Sequence, residues 1–128
     1  MTYTIIVTGS PYDSQNSRSA LFFSRALLSL KHRIDLIFFY GNGVLNSNLM
    51  LSVANNEVNL FDEWKKFYQD FQVPLYICIN SSLKRGLLET EKSSLLGFKK
   101  SNIGDFFKLS GFLELLNSIQ KTDRFIQF

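Results

Sequence analysis

The run Pro74-Leu75-Tyr76-Ile77-Cys78-Ile79-Asn80-Ser81-Ser82-Leu83-Lys84-Arg85-Gly86 passes from an apolar, β-rich segment into a polar helix start with no loop between. Pro74 to Ile79 reads as a strand. Ser81 to Arg85 reads as a short helix stopped by Gly86, since glycine takes the left-handed conformation at helix ends without penalty. The only cysteine of the chain, Cys78, stands at the corner between them. Backbone N–H groups at a helix start are unpaired and carry partial positive charge, so a thiolate placed there is stabilised.

The flanking sequence repeats the alternation of strand and helix. Tyr3 to Val7 is a nearly continuous apolar run, as in a strand covered on both faces, and Thr8 to Ser17 breaks it with turn formers. From Ser17 to Leu30, residues Ala20, Phe23, Leu27 and Leu30 share one helical face, with Phe22 on the polar side as a candidate interface residue. Ile34 to Tyr40 is a second buried strand, ended by Gly41-Asn42-Gly43, and the strand, helix, strand order is a βαβ unit with a right-handed crossover. Gly41 to Asn56 is expected to be loop-like with at most a helical turn, anchored by Val44-Leu45 and Leu49-Met50-Leu51. Asn59 is placed to cap a helix whose stripe is Leu60, Trp64, Phe67 and Phe71, with Asp62 and Glu63 at its positive end.

Beyond Gly86, Glu89 to Leu96 reads as a helix closed by Gly97, and Phe106 to Leu109 as a fourth strand. Ser110 is placed to cap a last helix with the stripe Phe112, Leu115, Leu116 and Ile119, and Arg124 to Phe128 is a terminal strand. The expectation is an α/β single domain over residues 1–128, with a mostly parallel sheet of four to five strands.

Composition narrows the function. Fourteen basic against eleven acidic side chains leave a net charge of +3, and no block of like charge exceeds Lys65-Lys66 or Lys99-Lys100, so direct RNA or DNA binding is not expected. One cysteine excludes an internal disulfide and a multi-cysteine zinc site, and fits a reducing, cytoplasmic setting. No apolar run is long enough to span a bilayer, and the N-terminus lacks the features of a signal peptide. The surplus of 13 Phe suggests aromatic surface buried against partner chains.

In parallel sheets, ligands gather beyond the carboxyl ends of the strands. Three loops meet that edge: Gly9 to Asn16, Gly41 to Asn46, and Cys78 to Ser82. Gly9-Ser10-Pro11 is not a dinucleotide-binding loop, and Pro11 removes an amide that a phosphate would use. A phosphatase-like loop requires Arg six residues after the cysteine, where Lys84 stands. The one His32, beside Lys31 and Arg33 before the second strand, falls at the opposite edge and is expected to be solvated. The carboxylates are scattered, so no metal and no cofactor is expected. A lone thiol with no base suits a carrier that accepts and passes on a group, and persulfide transfer fits. Position alone leaves Cys78 open between this and a small buried hydrophobe.

Several stretches taken together resemble the DsrE-like sulfur-relay family: Ile6-Val7-Thr8-Gly9-Ser10-Pro11-Tyr12, Phe38-Phe39-Tyr40 with Gly43-Val44 and Asn46, Ile77-Cys78 with Leu83-Lys84-Arg85-Gly86, Leu109-Ser110-Gly111, and Asp123 to Phe128. The resemblance covers essentially the whole chain and implies a three-layer α/β/α fold. It implies a sulfurtransferase subunit in a dimer of heterotrimers with TusB-like and TusC-like chains. Sulfur would come from a TusA-like donor and pass with a TusE-like acceptor toward 2-thiolation of tRNA wobble uridine. Cys78 falls at the family's persulfide-carrying position. From topology, Asn80, Ser81 and Ser82 would supply N–H or hydroxyl donors, and Lys84 and Arg85 positive field and a docking surface. Gly9, Ser10, Pro11 and Tyr12, with Tyr40, Gly43 and Asn46, would wall the cleft. The chain departs from the family pattern at Asn80-Ser81-Ser82, which replaces smaller, more apolar residues.

Overall fold

The computed structural model describes residues 1–128. Strands β1 (Thr2–Val7), β2 (Arg33–Phe39), β3 (Leu75–Cys78), β4 (Phe107–Ser110) and β5 (Arg124–Gln127) form one sheet in the order β4-β3-β2-β1-β5. Every neighbouring pair is parallel. The helices are α1 (Asn16–Ser29), α2 (Leu60–Phe71), α3 (Ile79–Lys84), α4 (Thr90–Leu95) and α5 (Phe112–Lys121), with a 3-10 helix over Gly41–Ser47.

The first four strands step one way across the sheet, so right-handed crossovers place α1 and α2 together on one face. The return from β4 to β5 crosses the other face through α5. Successive residues of β2 show both sides: Phe39 meets Trp64 of α2 edge-on at 5.1 Å, and Phe38 faces Phe112 of α5 at 6.0 Å. The core between sheet and helices includes Ile5, Val7, Ile37, Phe39, Trp64, Phe67 and Ile77, all inaccessible to solvent. This is the three-layer α/β/α arrangement with five parallel strands, the upper end of the expected count.

Local chemistry explains the element ends. Asn59 accepts hydrogen bonds from the amides of Phe61 and Asp62, the expected cap of α2. That helix stops at Gln72, which takes a left-handed conformation (φ 56°) two residues before Pro74. Gly86 and Gly97 have φ of 73° and 89°, where a side chain would strain the backbone, and they end α3 and α4. Helix α5 is pinned to the sheet by a polar chain: Thr4 Oγ1 lies 2.7 Å from Ser118 Oγ, which donates to Asp35 Oδ2 at 2.6 Å, and Lys121 pairs with Asp35 at 3.2 Å.

Several expectations need correction. Leu30 is exposed, because α1 has ended and the chain is turning through Lys31 (φ 67°); the buried face is Ser17, Ala20, Leu21, Ser24 and Leu27. The segment after β2 is more regular than a single turn, with seven residues of 3-10 helix, and Leu49 and Met50 are exposed, not buried apolar anchors. Gly111, not Ser110, is the N-cap of α5, since Ser110 still belongs to β4. Only Leu115 of the α5 stripe is buried, and Phe112 and Leu116 are exposed, because α5 has no helix beside it on its face of the sheet. Phe71 is likewise exposed at the end of α2. His32 is not fully solvated: it is half-buried, edge-on to Tyr3 at 5.6 Å, with Nδ1 3.1 Å from the N-terminal amine. No helix is long and apolar enough to cross a membrane.

Candidate functional site

Cys78 ends β3 and is the N-cap of α3, with an extended backbone (φ -64°, ψ 127°) and no capping hydrogen bond from its side chain. Paired residues of parallel strands share a face, so the pairs Cys78↔Ser110, Tyr76↔Lys108 and Tyr76↔Phe38 place the thiol on the face that α5 crosses. Ser110 leads directly into Gly111 and the first turn of α5. Two helices therefore begin beside one sulfur. Helix α3 has only six residues, and its inward face is Cys78, Ser81 and Ser82, while Ile79, Asn80, Leu83 and Lys84 are exposed. Cys78 as a residue is 4% exposed.

The three expected loops do meet, through specific bonds. The amide of Gly41 donates to Ser81 Oγ at 3.0 Å. Arg85 spans the same junction, donating from Nε to Asn42 Oδ1 at 2.9 Å and from Nη1 to the Ser81 carbonyl at 3.1 Å. Asn46 then ties the 3-10 helix to the first loop: its Nδ2 donates to the carbonyls of Gly9 (3.1 Å) and Gly43 (2.8 Å), and its Oδ1 accepts from Ser17 Oγ at 2.6 Å. Trp64 Nε1 donates to the same Ser17 hydroxyl at 3.1 Å.

This geometry gives the sequence-derived residues different parts. Gly9, Ser10, Pro11, Gly43 and Asn46 are buried and lie beneath the edge rather than lining an open wall. Gly43 packs so closely on β1 that a Cβ there would strike the Val7 carbonyl oxygen and come within 2.8 Å of its carbon. Tyr12 turns away toward α2, where its hydroxyl donates to Val58 O (2.8 Å) and accepts from Leu60 N (3.0 Å). Tyr40 is exposed and its ring meets that of Phe112 at a tilt, 5.4 Å between centroids. Lys84 points to solvent, and Arg85 is committed to the Ser81 carbonyl and Asn42. Ser82 is completely buried, and its hydroxyl has no hydrogen-bond partner. A cavity of about 640 Å³ is lined by Leu49, Met50, Leu88 and Phe98 among others and contains none of these site residues.

Ser110 and the start of α5 are the neighbours that sequence reasoning did not place. Their signal was available in the Leu109-Ser110-Gly111 stretch, but only the pairing of β4 beside β3 shows that it lies next to Cys78. Glu114 stands in the first turn of α5. Its carboxyl is held below the usual 4.5, first by its own backbone amide, then by the Ser110 hydroxyl, with Lys108 adding and desolvation opposing. No cluster of side chains suited to a metal ion is present.

A model of the DsrE/DsrF-like family matches residues 1–128. Sulfurtransferase TusD of Buchnera aphidicola subsp. Acyrthosiphon pisum is 46% identical to this chain over 128 residues, covering all of both proteins. Sulfurtransferase TusD of Pectobacterium carotovorum is 39% identical, covering 100% of this chain and 99% of the relative. The crystal structure of the ychN protein from E. coli superposes with a TM-score of 0.77 over the whole of both chains at 20% identity, a likeness of fold.

Proposed function

The chain belongs to the DsrE/DsrF-like family, and from that premise we propose that it is a sulfurtransferase carrying sulfur on Cys78 within a sulfur relay. The observation that carries this reading is the placement of the chain's single thiol at the carboxyl edge of the sheet, where β3 turns into α3 and α5 begins alongside. No histidine stands near enough in the topology to act as a base, since His32 lies at the opposite edge beside the N-terminus. A group carrier does not need one.

The transfer balances without a cofactor. The Cys78 thiolate attacks the outer sulfur of a donor persulfide, the new Sγ–S bond forms as the donor S–S bond breaks, and the donor leaves as a thiolate. Handing on is the same displacement, with an acceptor thiolate attacking the outer sulfur and Cys78 leaving. No net oxidation occurs in either half. The donor is TusA-like, the acceptor TusE-like, and the destination the 2-thiolation of tRNA wobble uridine, with no direct tRNA binding by this chain. TusB-like and TusC-like chains complete a dimer of heterotrimers in the cytoplasm. Exposed apolar side chains on and beside α5, Tyr40, Phe112, Leu113 and Leu116, support such an assembly, since clustered apolar surface marks protein contacts.

The low exposure of Cys78 favours a second reading, a non-catalytic assembly subunit in which the thiol is core. Incubation with a persulfidated donor followed by mass spectrometry separates the two. One added sulfur on the wild type and none on Cys78→Ser is the result expected; equal labelling of both, or of neither, overturns the carrier role. Iodoacetamide at neutral pH gives the independent check, with modification of the native protein before unfolding supporting the carrier.

A further inference from the structure

Three connecting segments, those that follow the 3-10 helix, α3 and α4, are locked to one another by hydrogen bonds. The Leu49 amide donates to the Asn102 carbonyl at 2.9 Å. Asn102 Nδ2 donates to the Gly86 carbonyl at 2.7 Å, its Oδ1 accepts from the Leu88 amide at 2.8 Å, and Ser101 Oγ donates to the Leu88 carbonyl at 2.7 Å. The end of α4 fixes Phe98 as well. Gly97 N donates to Ser94 O at 3.1 Å and Phe98 N to Ser93 O at 2.8 Å, the paired bonds of a Schellman turn. In such a turn the residue at the place of Phe98 commonly packs on an apolar side chain at the place of Ser93. A serine offers none, and Phe98 is left 63% exposed.

Between these segments lies the cavity of about 640 Å³. Leu49, Met50, Leu88 and Phe98 give it an apolar wall, and Lys99 and Lys100 give it positive charge. No carboxylate lines it, and neither lysine has an ion pair, the salt bridges of the chain being Arg25–Glu63 and Lys121–Asp35. The side chains of Ser101 and Asn102 are engaged in holding the walls together. Sites for small molecules are concave, mostly apolar and about 300–1,000 Å³ in volume, with a few polar groups that fix orientation. Two unpaired ammonium groups disfavour a cation, and a neutral apolar molecule would leave them unused. We propose that this cavity is a binding site for a small amphipathic anion, its apolar body against Leu49, Met50, Leu88 and Phe98 and its carboxylate paired with Lys99 and Lys100. Cys78 takes no part in it, so the site stands or falls independently of the sulfur carrier.

The test titrates the full chain with decanoate below its micellar concentration, following backbone amides by NMR and affinity by calorimetry, with decanol and decylammonium as the neutral and cationic comparisons. Decanoate is expected to bind saturably, to shift the amides of Leu49, Met50, Leu88 and residues 98–102, and to weaken with added salt. Decanol should bind several-fold more weakly, and decylammonium more weakly still. Phe98→Ser should weaken decanoate and decanol alike, whereas Lys99→Gln with Lys100→Gln should bring decanoate down to the level of decanol and leave decanol unchanged. All of these side chains except Leu88 are exposed, so the variants should melt with the wild type, which a thermal scan checks. Equal binding of all three probes, or shifts centred instead on Phe112, Leu113 and Leu116, overturns the proposal. So does self-association of the chain in sedimentation that Phe98→Ser abolishes, which would make the occupant a second copy. Loss of decanoate binding when the chain is assembled with other subunits would make this face a subunit contact and overturns it equally.

Discussion

Replacing Asn46 by Ala should loosen the carboxyl edge of the sheet more than any other single polar substitution there. The side chain is fully buried and makes three hydrogen bonds, two as donor to the carbonyls of Gly9 and Gly43 and one as acceptor from Ser17. Truncation leaves three buried groups short of a partner. Each costs about 1–3 kcal/mol when left dry, and water entering the space vacated brings the expected loss toward the low end, about 3 kcal/mol in total. At about 3 °C per kcal/mol for a chain of this size, the melting temperature should fall by about 10 °C in a circular-dichroism melt. Asn46→Asp supplies an internal comparison. It keeps the acceptor for Ser17 but loses both donors and buries a charge, so it should be at least as damaging as Ala. A melting temperature for Asn46→Ala within about 3 °C of wild type would refute the clamp, as would an Asp variant as stable as the native chain. Because the 3-10 helix that Asn46 anchors also holds α3 through Ser81, alkylation of native Cys78 by iodoacetamide should accelerate in Asn46→Ala.

Gly43→Ala should be destabilising by about 3 kcal/mol, at the upper end for overpacking, since its Cβ would meet the backbone of Val7 and not a side chain that can swing aside; a variant that melts with the wild type would show that β1 yields more readily than its buried position suggests. Glu114→Gln should lower the melting temperature at neutral pH. The folded carboxyl lies below the 4.5 of an unperturbed one, so its contribution is present above that value and is lost as pH falls through the folded one; the gap between variant and wild type should close in acid, and a gap independent of pH would contradict this. Phe22→Ser should leave the isolated chain's stability within about 0.5 kcal/mol, because the ring is 58% exposed with only the Arg18 guanidinium over it at 5.7 Å; a loss of several degrees would give Phe22 a packing role it does not have here.

The fold was legible in the sequence wherever one short-range pattern decided an element. Apolar runs bounded by turn formers mark β1 and β2, Asn59 and Pro74 bracket α2, and Gly86 and Gly97 end the two short helices, because caps and breakers act over a few residues. The stripes were less legible at their ends. Leu30, Phe71, Phe112 and Leu116 sit at the right helical spacing yet remain exposed, since whether a stripe is covered depends on what lies opposite it. That is fixed by the strand order, which no local signal carries. The candidate site divides in the same way. Cys78 at a strand-to-helix corner is a local pattern, and the meeting of three loops follows from a parallel sheet. The bonds that join those loops are not local: Asn46 reaches 37 residues back to Gly9. Its polarity suggested a residue facing a cleft, and the structure makes it a buried clamp.

The handedness of the crossovers links the buried thiol to the exposed surface around it. Three right-handed steps from β1 to β4 put α1 and α2 on one face, and the single return leaves α5 alone on the other. One ten-residue helix is too little to cover that face, which accounts for the half-buried Tyr76 with Lys108 over its ring at 5.1 Å and for the exposed Phe112, Leu113 and Leu116. Cys78 belongs to this same face. Beside it lies Ser110, which leads into α5, and after it comes α3, six residues long and held by Ser81 and Arg85 to the 3-10 helix. A helix that short has little stability of its own and depends on such ties. The bonds from Gly41 and Asn42 to α3 and its last turn, backed by Asn46 through the 3-10 helix, therefore hold in place the helix that follows Cys78.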